Sequence, residues 1–473
     1  MDTDVLVVGA GPTGLLLAGD LAEAGVRVTV LERRASESNM TRAFAVHART
    51  MEQLEIRGLA GQLAKTGSTV RELRLFAKVR LDLGTLPTEY GSLLVTPQYQ
   101  TERVLRERVD QLGVPVLAGV RVLGLTQDAD GVEVGALTAD GSTTRYRAAY
   151  LVGSDGVGST VRGALGLPFP GHSVVKSMML ADVRLTDPPA DVLTVNAVGD
   201  AFAFVAPFGD GWHRVFAWNR EHQVDDAAPL ELAEVREVTR RALGTDFGMA
   251  EARWLSRFHS DERQVPRYRV GRVFLAGDAA HCHSPAGGQG MNTGLQDAAN
   301  LGWKLAAAVR GWGDDALLDT YHAERHPVGR TVLRSSGAII RLAMIRSRWG
   351  RAARNTLGGL LLRVPPVRAA ATGSVSAIGF RYRAPRGADR RVGIRVPNLA
   401  LRTGRLYDAL HGGRFVLVGA SADELPLPLP AQVDAVVPAR PVDRLLLVRP
   451  DGYLGWVGTA EQFPAWARDY FRS

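Results

Sequence analysis

The sequence lacks features that mark several classes of protein. Among its 473 residues Cys282 is the only cysteine, which excludes an intrachain disulfide, a CxxC redox pair and a multi-cysteine metal site. No apolar run is long enough to span a bilayer, and the N-terminus lacks the charged region and small-residue cleavage site of a signal peptide. We therefore expect a cytoplasmic protein that uses no metal.

Lysine is also scarce, because the chain has only four: Lys65, Lys78, Lys176 and Lys304. Arginine carries almost all of the net charge of +8, and with abundant alanine and glycine this is typical of a GC-rich genome. The charge is therefore weak evidence for nucleic-acid binding, and we expect no such partner. A hydrophobic fraction of 46% and a charged fraction of 22% are those of an ordinary globular protein. The length allows two or three domains.

The N-terminus predicts a dinucleotide-binding unit. A buried-strand pattern over 5–8 leads into a glycine loop and a helical run over 15–24, and a second strand over 26–31 ends on Glu32. The loop permits a tight turn, lets the backbone reach a pyrophosphate and brings the helix close to the strand, while Glu32 can bind a ribose. The predicted contacts are Gly9, Gly11, Pro12, Thr13, Gly14, Glu32 and Arg33. Both FAD and NAD use this unit, so it does not choose between them.

Two later segments also end a predicted strand with a carboxylate. The first ends in Asp155-Gly156, and the second, over 273–276, ends in Gly277-Asp278. A carboxylate at a strand end can accept hydrogen bonds from a polyol. After Asp278 comes a loop with Pro285, Gly287, Gly288 and Gly290, and then a predicted helix from about 291 to 304. Such glycines let backbone N–H groups approach a flat ligand, and the helix N-terminus favours negative charge there.

These three segments, in this order, resemble those of the class A flavoprotein monooxygenases, aromatic hydroxylases with a para-hydroxybenzoate hydroxylase-like fold. The similarity extends over most of residues 1–385. It implies that FAD is the resident cofactor and that NAD(P)H is a co-substrate. It also implies that Asp278 binds the flavin ribitol and that Asp155-Gly156 lie where both cofactors pass.

Further residues are assigned by the same resemblance. Arg42 matches a basic residue near the FAD phosphates and flavin, and Gln98 matches a glutamine near the ribitol. The family loop over the flavin carries a proline and a GxG, matched by Pro285 and by Gly288-Gln289-Gly290. The expected catalytic residues are Arg42, Pro285, Gly288 and Gln289, and Arg103, Gly290, Met291 and Asn292 join the expected cofactor contacts. We expect the flavin to move between an exposed and a buried position bounded by Arg42 and this loop.

The chain is expected to be an α/β protein with a Rossmann-like FAD-binding domain over 1–70, 95–170 and 266–330. An inserted antiparallel-sheet substrate domain is expected over 71–94 and 171–265, where short alternating runs are separated by turn signals. Its candidate substrate residues are Phe202, Phe204, Phe208 and Trp218. Packing of the sheet core is the alternative role for at least half of them.

Linker helices are expected over 331–384. Arginines alternate with aliphatic residues there, a pattern shared by a helix that lies on a membrane and by one that packs two domains. We favour packing, and so expect no membrane partner. Residues 385–473 resemble the thioredoxin-like C-terminal domain of larger family members. Because the chain has no cysteine pair, this domain is expected to be structural or an oligomerisation surface, as in a homodimer.

The resemblance implies an FAD-dependent monooxygenase that consumes NAD(P)H and O2. Hydroxylation of an aromatic substrate would proceed through a flavin C4a-hydroperoxide. Large members with this C-terminal domain commonly act on polyketide or ansamycin antibiotics, in biosynthesis or in inactivation. A Baeyer–Villiger oxygenation on the same scaffold and a non-catalytic flavin-dependent ligand-binding protein stay open. A flavin halogenase would need a Trp-x-Trp-x-Ile-Pro segment together with a reactive lysine, and this pair is absent.

Overall fold

The computed structural model describes residues 3–37, 43–75, 79–284, 287–343, 345, 347–419, 421, 425–426 and 428–471. The strands are β1 (Val5–Val8), β2 (Val28–Glu32), β3 (Ala45–Val46), β4 (Ser68–Val70), β5 (Glu72–Leu75), β6 (Val79–Asp82), β7 (Leu93–Val95), β8 (Val116–Ala118), β9 (Arg121–Gln127), β10 (Val132–Leu137), β11 (Thr143–Ala148), β12 (Tyr150–Gly153), β13 (Gly171–Leu185), β14 (Thr194–Val198), β15 (Ala201–Pro207), β16 (His213–Asn219), β17 (Met249–Gln264), β18 (Arg269–Val270), β19 (Val273–Leu275), β20 (His281–Cys282), β21 (Phe415–Val418), β22 (Val433–Val436), β23 (Leu445–Val448) and β24 (Leu454–Gly458). The helices are α1 (Pro12–Glu23), α2 (Ala48–Glu55), α3 (Ala60–Ala64), α4 (Gln98–Gln111), α5 (Thr160–Ala164), α6 (Leu232–Leu243), α7 (Gln289–Val309), α8 (Asp315–Ala343), α9 (Arg348–Leu361), α10 (Pro365–Ser376), α11 (Leu406–Ala409) and α12 (Phe463–Tyr470).

A mostly parallel sheet forms the first layer, with the strand order β18-β19-β12-β1-β2-β8. Its central strand, β1, is an unbroken apolar run that is buried along its whole length, as expected when helices cover both faces. The ends of β1, β12 and β19 lie side by side, since Val8 pairs with Gly153 and Gly153 pairs with Leu275. The three predicted motifs therefore meet at one edge of this sheet, where α/β proteins bind ligands.

A second sheet is antiparallel, with the order β14-β15-β16-β13-β17-β20. Alternation along β15 gives it two apolar faces. Ala201, Ala203 and Val205 belong to the core cluster that includes residues of α6, whereas Phe202 and Phe204 pack on the opposite side. The predicted antiparallel sheet is confirmed. The long strand β17 was not predicted, because charged residues interrupt its apolar alternation.

The described strands within residues 71–94 pair outside that sheet. They form a two-stranded ribbon of β5 and β6, and they supply β7 to a small sheet with the order β3-β7-β4.

The linker helices expected over 331–384 do not begin at residue 331. Helix α8 runs across position 330 and contains Pro327, and Ser347 then caps a separate helix, α9, by accepting a hydrogen bond from the Gly350 backbone. Pro365 begins α10, where its missing N–H costs nothing. No helix in the described ranges is both long and apolar enough to cross a membrane.

The C-terminal sheet has the order β22-β21-β23-β24, with β21 and β22 parallel and the other neighbours antiparallel. This arrangement agrees with the thioredoxin-like fold that was expected. Strands β23 and β24 form a hairpin that turns at Pro450-Asp451-Gly452. Strand β22 was not predicted, since it lies in a proline-rich stretch.

Buried ion pairs join this C-terminal sheet region to the rest of the chain. The Arg395 guanidinium donates to both carboxylate oxygens of Glu52 in α2, at 2.8 and 2.7 Å. The Arg449 guanidinium donates to both carboxylate oxygens of Glu324 in α8, at 2.7 and 3.0 Å. Their side chains are largely shielded from water, so loss of either arginine would leave a buried carboxylate with one cationic partner fewer.

Candidate active site

The glycine loop at the end of β1 closes tightly on one side and is open on the other. A Cβ placed on Gly14 would lie 2.0 Å from the carbonyl oxygen of Gly9, so only glycine fits at this helix–strand contact. A Cβ on Gly11 would meet no atom within 4 Å. The space in front of the N-terminus of α1 is therefore free for a phosphate to approach the backbone N–H groups, and this part of the site fits the pyrophosphate of FAD.

Glu32 fixes the loop against the end of β2. Its Oε2 accepts a hydrogen bond from the Ala10 backbone at 2.7 Å, and its Oε1 accepts one from the Arg34 backbone at 2.8 Å. Oε2 keeps a second lone pair, so Glu32 remains suited to a ribose. Arg33 is exposed, whereas Arg34, which sequence reasoning did not single out, contacts Glu32 through Nε at 3.2 Å.

The Gly277-Asp278 turn lies against α1 and α7. A Cβ on Gly277 would lie 2.7 Å from the Thr13 hydroxyl, and one on Gly294 would lie 2.4 Å from the same oxygen. The Asp278 side chain is exposed, and its Oδ1 lies 3.9 Å from where a Cβ on Gly290 would stand. The carboxylate is thus beside the first turn of α7, where a polyol chain could reach both.

Asp297, which was not identified from the sequence, supports this turn through a buried network of contacts. Its Oδ2 accepts a hydrogen bond from the Gly277 backbone at 3.1 Å and lies 2.6 Å from His281 Nε2, and its Oδ1 accepts from Arg325 Nε at 2.7 Å. All three side chains are fully buried. Burial alone would raise the pKa of Asp297, but His281 and Arg325 outweigh it and lower the pKa. Asp297 is therefore an anion that holds the turn in place.

The first turn of α7 is fixed to the neighbouring strand β3 by Asn292. Its side-chain oxygen accepts from the His47 backbone at 2.8 Å, and its amide nitrogen donates to the carbonyls of Ala45 and Gly288 at 2.9 and 2.8 Å. The side chain is thus fully used within the protein. A ligand at this helix end would meet backbone N–H groups, such as that of Met291, rather than the Asn292 amide.

The Gln289 side chain contacts two other helices. Its amide nitrogen donates to the Ser374 carbonyl at 3.4 Å, and its Oε1 accepts from the Ser335 hydroxyl at 3.3 Å. Gly288, the residue before α7, has a left-handed backbone with φ of 62°. The structure thus gives Gln289 contacts with α10 and α8, and gives Gly288 the role of shaping the loop.

The remaining predicted cofactor residues differ in their surroundings. Gln98 accepts from the Ala43 backbone at 3.3 Å and donates to Glu102 at 2.7 Å. Arg103 is exposed and donates to Gln100 at 3.3 Å. Arg42 and Pro285 lie outside the described residues.

Asp155 supports the helix that follows the second motif. Its carboxylate accepts from the Ser159 hydroxyl at 2.5 Å and from the Val161 backbone at 3.2 Å, at the start of α5. Gly156 has a φ of +82°, and a Cβ there would meet no atom within 4 Å. Asp155 thus shapes the segment, and Gly156 leaves space beside it.

An apolar cavity lies between the antiparallel sheet and the loop that precedes α7. Its volume is about 210 Å³, and it opens to solvent. The predicted residues Phe202, Phe204 and Trp218 line it. Its other lining residues include Phe44, His47, Leu73, Val175, Met178, Phe216, Gly287, Gly288, Ile339, Ile340 and Val375. The fourth predicted residue, Phe208, is not among them, because it follows the end of β15 and packs 3.5 Å under the Arg214 guanidinium.

Polar groups in the cavity are few. His47 faces the loop, and burial lowers its pKa to about 4, so the imidazole is neutral at neutral pH. Asp200 lies in the turn between β14 and β15, and Arg220 follows the end of β16. The Arg220 backbone N–H donates to the Asp200 carbonyl at 2.9 Å. Within the described ranges, no cluster of three His, Cys, Asp or Glu side chains is arranged to hold a metal ion.

Comparison with known proteins gives two family matches. A model described as FAD binding domain matches residues 2–336, and one described as aromatic-ring hydroxylase, C-terminal, matches residues 389–471. The chain is 41% identical to rifampicin monooxygenase of Streptomyces venezuelae, over 98% of each chain. It is 35% identical to dialkyldecalin synthase of Streptomyces rugosporus, over 96% of each.

A solved structure agrees over the whole length. OxyS anhydrotetracycline hydroxylase from Streptomyces rimosus superposes with a TM-score of 0.86 at 37% identity, covering 100% of this chain and 99% of that one. The match includes the FAD-binding domain, the antiparallel sheet and the C-terminal region together. The chain therefore belongs to the family of FAD-dependent aromatic-ring monooxygenases, with FAD as its cofactor and NAD(P)H as the reductant typical of that family.

Proposed function

We propose that this enzyme hydroxylates a large polycyclic aromatic molecule of the polyketide or ansamycin class. The observation that carries the proposal is the aromatic cavity between the antiparallel sheet and the loop before α7. Its walls are almost entirely apolar, and the loop beside it leads into the helix end expected at the flavin. The relatives named for rifampicin and anhydrotetracycline support the same substrate class.

The cavity suits a flat, electron-rich ring system. Phe204 lies between Phe44 and Phe216, with ring centroids 5.0 and 6.0 Å away, so a polycyclic substrate would meet aromatic faces and edges. The neutral His47 and the Arg220 guanidinium offer the polar contacts that would fix its orientation. Apolar walls also exclude water from the reacting ring, which limits side reactions.

The residues at the sheet edge where β1, β12 and β19 end fit FAD. Bound FAD supplies the redox and oxygen-activating chemistry, and the protein binds and orients it. Gly11 and the N-terminus of α1 would face the pyrophosphate, Glu32 a ribose, and Asp278 the ribitol. The backbone N–H groups at the start of α7, a helix of 21 residues with no acidic residue in its first turn, would stabilise negative charge on the pyrimidine edge of the ring.

Further cofactor contacts belong to the same proposal: Gly9, Pro12, Thr13, Gly14, Arg33, Arg42, Gln98, Arg103, Asp155, Gly156, Pro285, Gly288 and Gly290. We also propose the domain boundaries given above, a cytoplasmic location and the absence of a nucleic-acid partner.

The test is turnover with defined substrates. The FAD-loaded protein would be offered simple phenols, anthracyclic polyketides and rifamycins, while NAD(P)H consumption is followed and products are analysed by mass spectrometry under ¹⁸O2. We expect substrate-stimulated NAD(P)H oxidation and a product that gains one labelled oxygen. A new ring hydroxyl on an intact carbon skeleton supports hydroxylation, whereas an inserted ester oxygen supports the Baeyer–Villiger alternative.

A second candidate is ligand binding or ring closure without oxygenation. The similarity to dialkyldecalin synthase, whose name describes no oxygenation, supports this second function. In that case the protein would bind FAD and its ligand, yet the ligand would stimulate no consumption of NAD(P)H or O2. Product without added oxygen would then replace the main proposal.

A further inference from the structure

Helix α9 turns its apolar face to the solvent. Four of its large apolar side chains are exposed: Trp349, Leu357, Leu360 and Leu361, with exposed fractions of 76%, 58%, 49% and 56%. The polar Arg354, in contrast, is half-buried and donates to the Leu342 carbonyl at 2.9 Å. A soluble helix normally shows the opposite arrangement, so this orientation calls for a partner.

The exposed apolar surface continues past the end of α9. Val364 and Val367 are 46% and 39% exposed, in the connection to α10 and in its first turn. We name Trp349, Leu357, Leu360, Leu361, Val364 and Val367 the α9 face. The sequence favoured linker helices that pack two domains together. Helices with only that role would bury such a surface.

The segment that carries the α9 face has charges of one sign. Residues 325–388 contain thirteen arginines and no aspartate or glutamate. Among those near the face, Arg363 and Arg368 are exposed. A partner for this surface must therefore combine negative charge with an apolar layer.

We propose that the α9 face docks reversibly on an anionic lipid surface. Leucine, valine and tryptophan side chains would enter the boundary between headgroups and acyl chains, while the arginines meet lipid phosphates. A second copy of this chain fits less well, because a two-fold contact would bring the same arginines together without a carboxylate from this segment. A nucleic acid would satisfy the arginines but would leave the leucines exposed.

The position of the α9 face gives the docking a use, which rests on the proposed function. Ile339 and Ile340, just before the face in sequence, line the substrate cavity, and Val375, just after it, does too. Helix α9 also contacts β6, whose partner strand β5 contributes Leu73 to the cavity. A lipophilic polycyclic substrate dissolved in the bilayer would thus be held near the cavity walls.

The test is binding of the FAD-loaded, full-length protein to vesicles, without substrate. We expect sedimentation with phosphatidylcholine vesicles that contain about 30% phosphatidylglycerol and not with pure phosphatidylcholine, because the arginines need anionic lipid. Raising the salt from about 0.1 M to about 0.5 M should weaken the binding several-fold, because the charges are screened.

Leu357→Glu is the informative variant, and Leu123→Glu in β9 is its matched control, since the two leucines are 58% and 53% exposed. Leu357→Glu should lower the partition coefficient at least about tenfold, through lost apolar contact and added negative charge, and Leu123→Glu should change it by less than about twofold. FAD content and melting temperature should match the wild type in both variants.

Three outcomes would overturn the proposal: no binding to anionic vesicles, equal loss in both variants, or a homodimer that only Leu357→Glu dissociates. The last would assign the α9 face to self-association. Failure of the hydroxylase assay would leave the vesicle result standing and remove only the role in substrate delivery.

Discussion

Asp297→Asn is expected to loosen the flavin site without changing its shape. Asp297 receives N–H groups on both carboxylate oxygens, from Gly277 and Arg325, and His281 Nε2 also lies 2.6 Å from Oδ2. An asparagine has one acceptor oxygen, so its amide N–H must face either Arg325 or the Gly277 side. A buried donor is left without an acceptor in both orientations.

The expected magnitude has two parts. Leaving the buried Arg325 without its anion should lower the free energy of unfolding by about 3 kcal/mol, within the range for broken buried ion pairs. Loss of the hydrogen bond from the Gly277 N–H costs about 1–3 kcal/mol and loosens the turn that carries Asp278. If about 1.4 kcal/mol of this cost falls on FAD binding, the FAD dissociation constant rises about tenfold.

The assays are thermal unfolding and FAD titration by flavin fluorescence. Asp182→Asn is a matched control, because Asp182 pairs with Arg214 at 2.8 and 2.9 Å in an equally buried site that does not touch the turn. It should destabilise the protein by a similar amount but leave FAD affinity within about twofold of the wild type, since only a contact to the turn affects it. Wild-type FAD affinity in Asp297→Asn, or an equal loss in both variants, would refute the reasoning.

Three other predictions concern single side chains. Burial lowers the pKa of Lys304 to about 8, so unfolding takes up a proton between that pH and the ordinary value of 10.5. The free energy of unfolding should therefore rise with pH across this window, and Lys304→Met should flatten the rise in pH-dependent denaturant titrations without unfolding the protein, since Arg449 still pairs with Glu324. Burial raises the pKa of Cys282 to about 12, so iodoacetamide at pH 8 should label it only after denaturation, as followed by mass spectrometry; labelling of the native protein would contradict this. Phe204→Ala should raise the KM for an aromatic substrate about tenfold through lost stacking and apolar contact, with unchanged FAD content, and an unchanged KM would remove Phe204 from the substrate site.

The parts of the fold that follow local rules were predicted well. The unit at residues 5–32 was recognised because strand, glycine loop, helix and acid follow one another within 30 residues, and the antiparallel sheet because its strands alternate. Strand β17 was missed because charged residues, including the buried Arg257 and Glu262, interrupt its apolar alternation. The start of α9 was not predicted because the helical pattern continues across it.

Contacts between distant parts of the chain could not be predicted in the same way. Asp297 and Arg325 lie 28 residues apart, and Arg395 and Glu52 lie 343 residues apart, so no local pattern identifies either pair. The hydrogen bonds of the Asn292 side chain could not be predicted for a related reason: its position at a helix start indicates a ligand contact, but gives no sign that its amide donates to Ala45 and Gly288.

The buried pairs between the C-terminal sheet region and the helices have a consequence for how such a chain can change during evolution. Removing residues 389–471 would take away Arg395 and Arg449, leaving Glu52 with Arg49 and Glu324 with Lys304 as cationic partners, and would also remove the Asp451 carbonyl that accepts from Arg49 at 2.6 Å. A shorter relative would need to replace several charged residues at the newly opened surface at the same time. The C-terminal region should therefore be inherited or lost together with those helix positions, and grafting it onto another family member should succeed only if they are transferred with it.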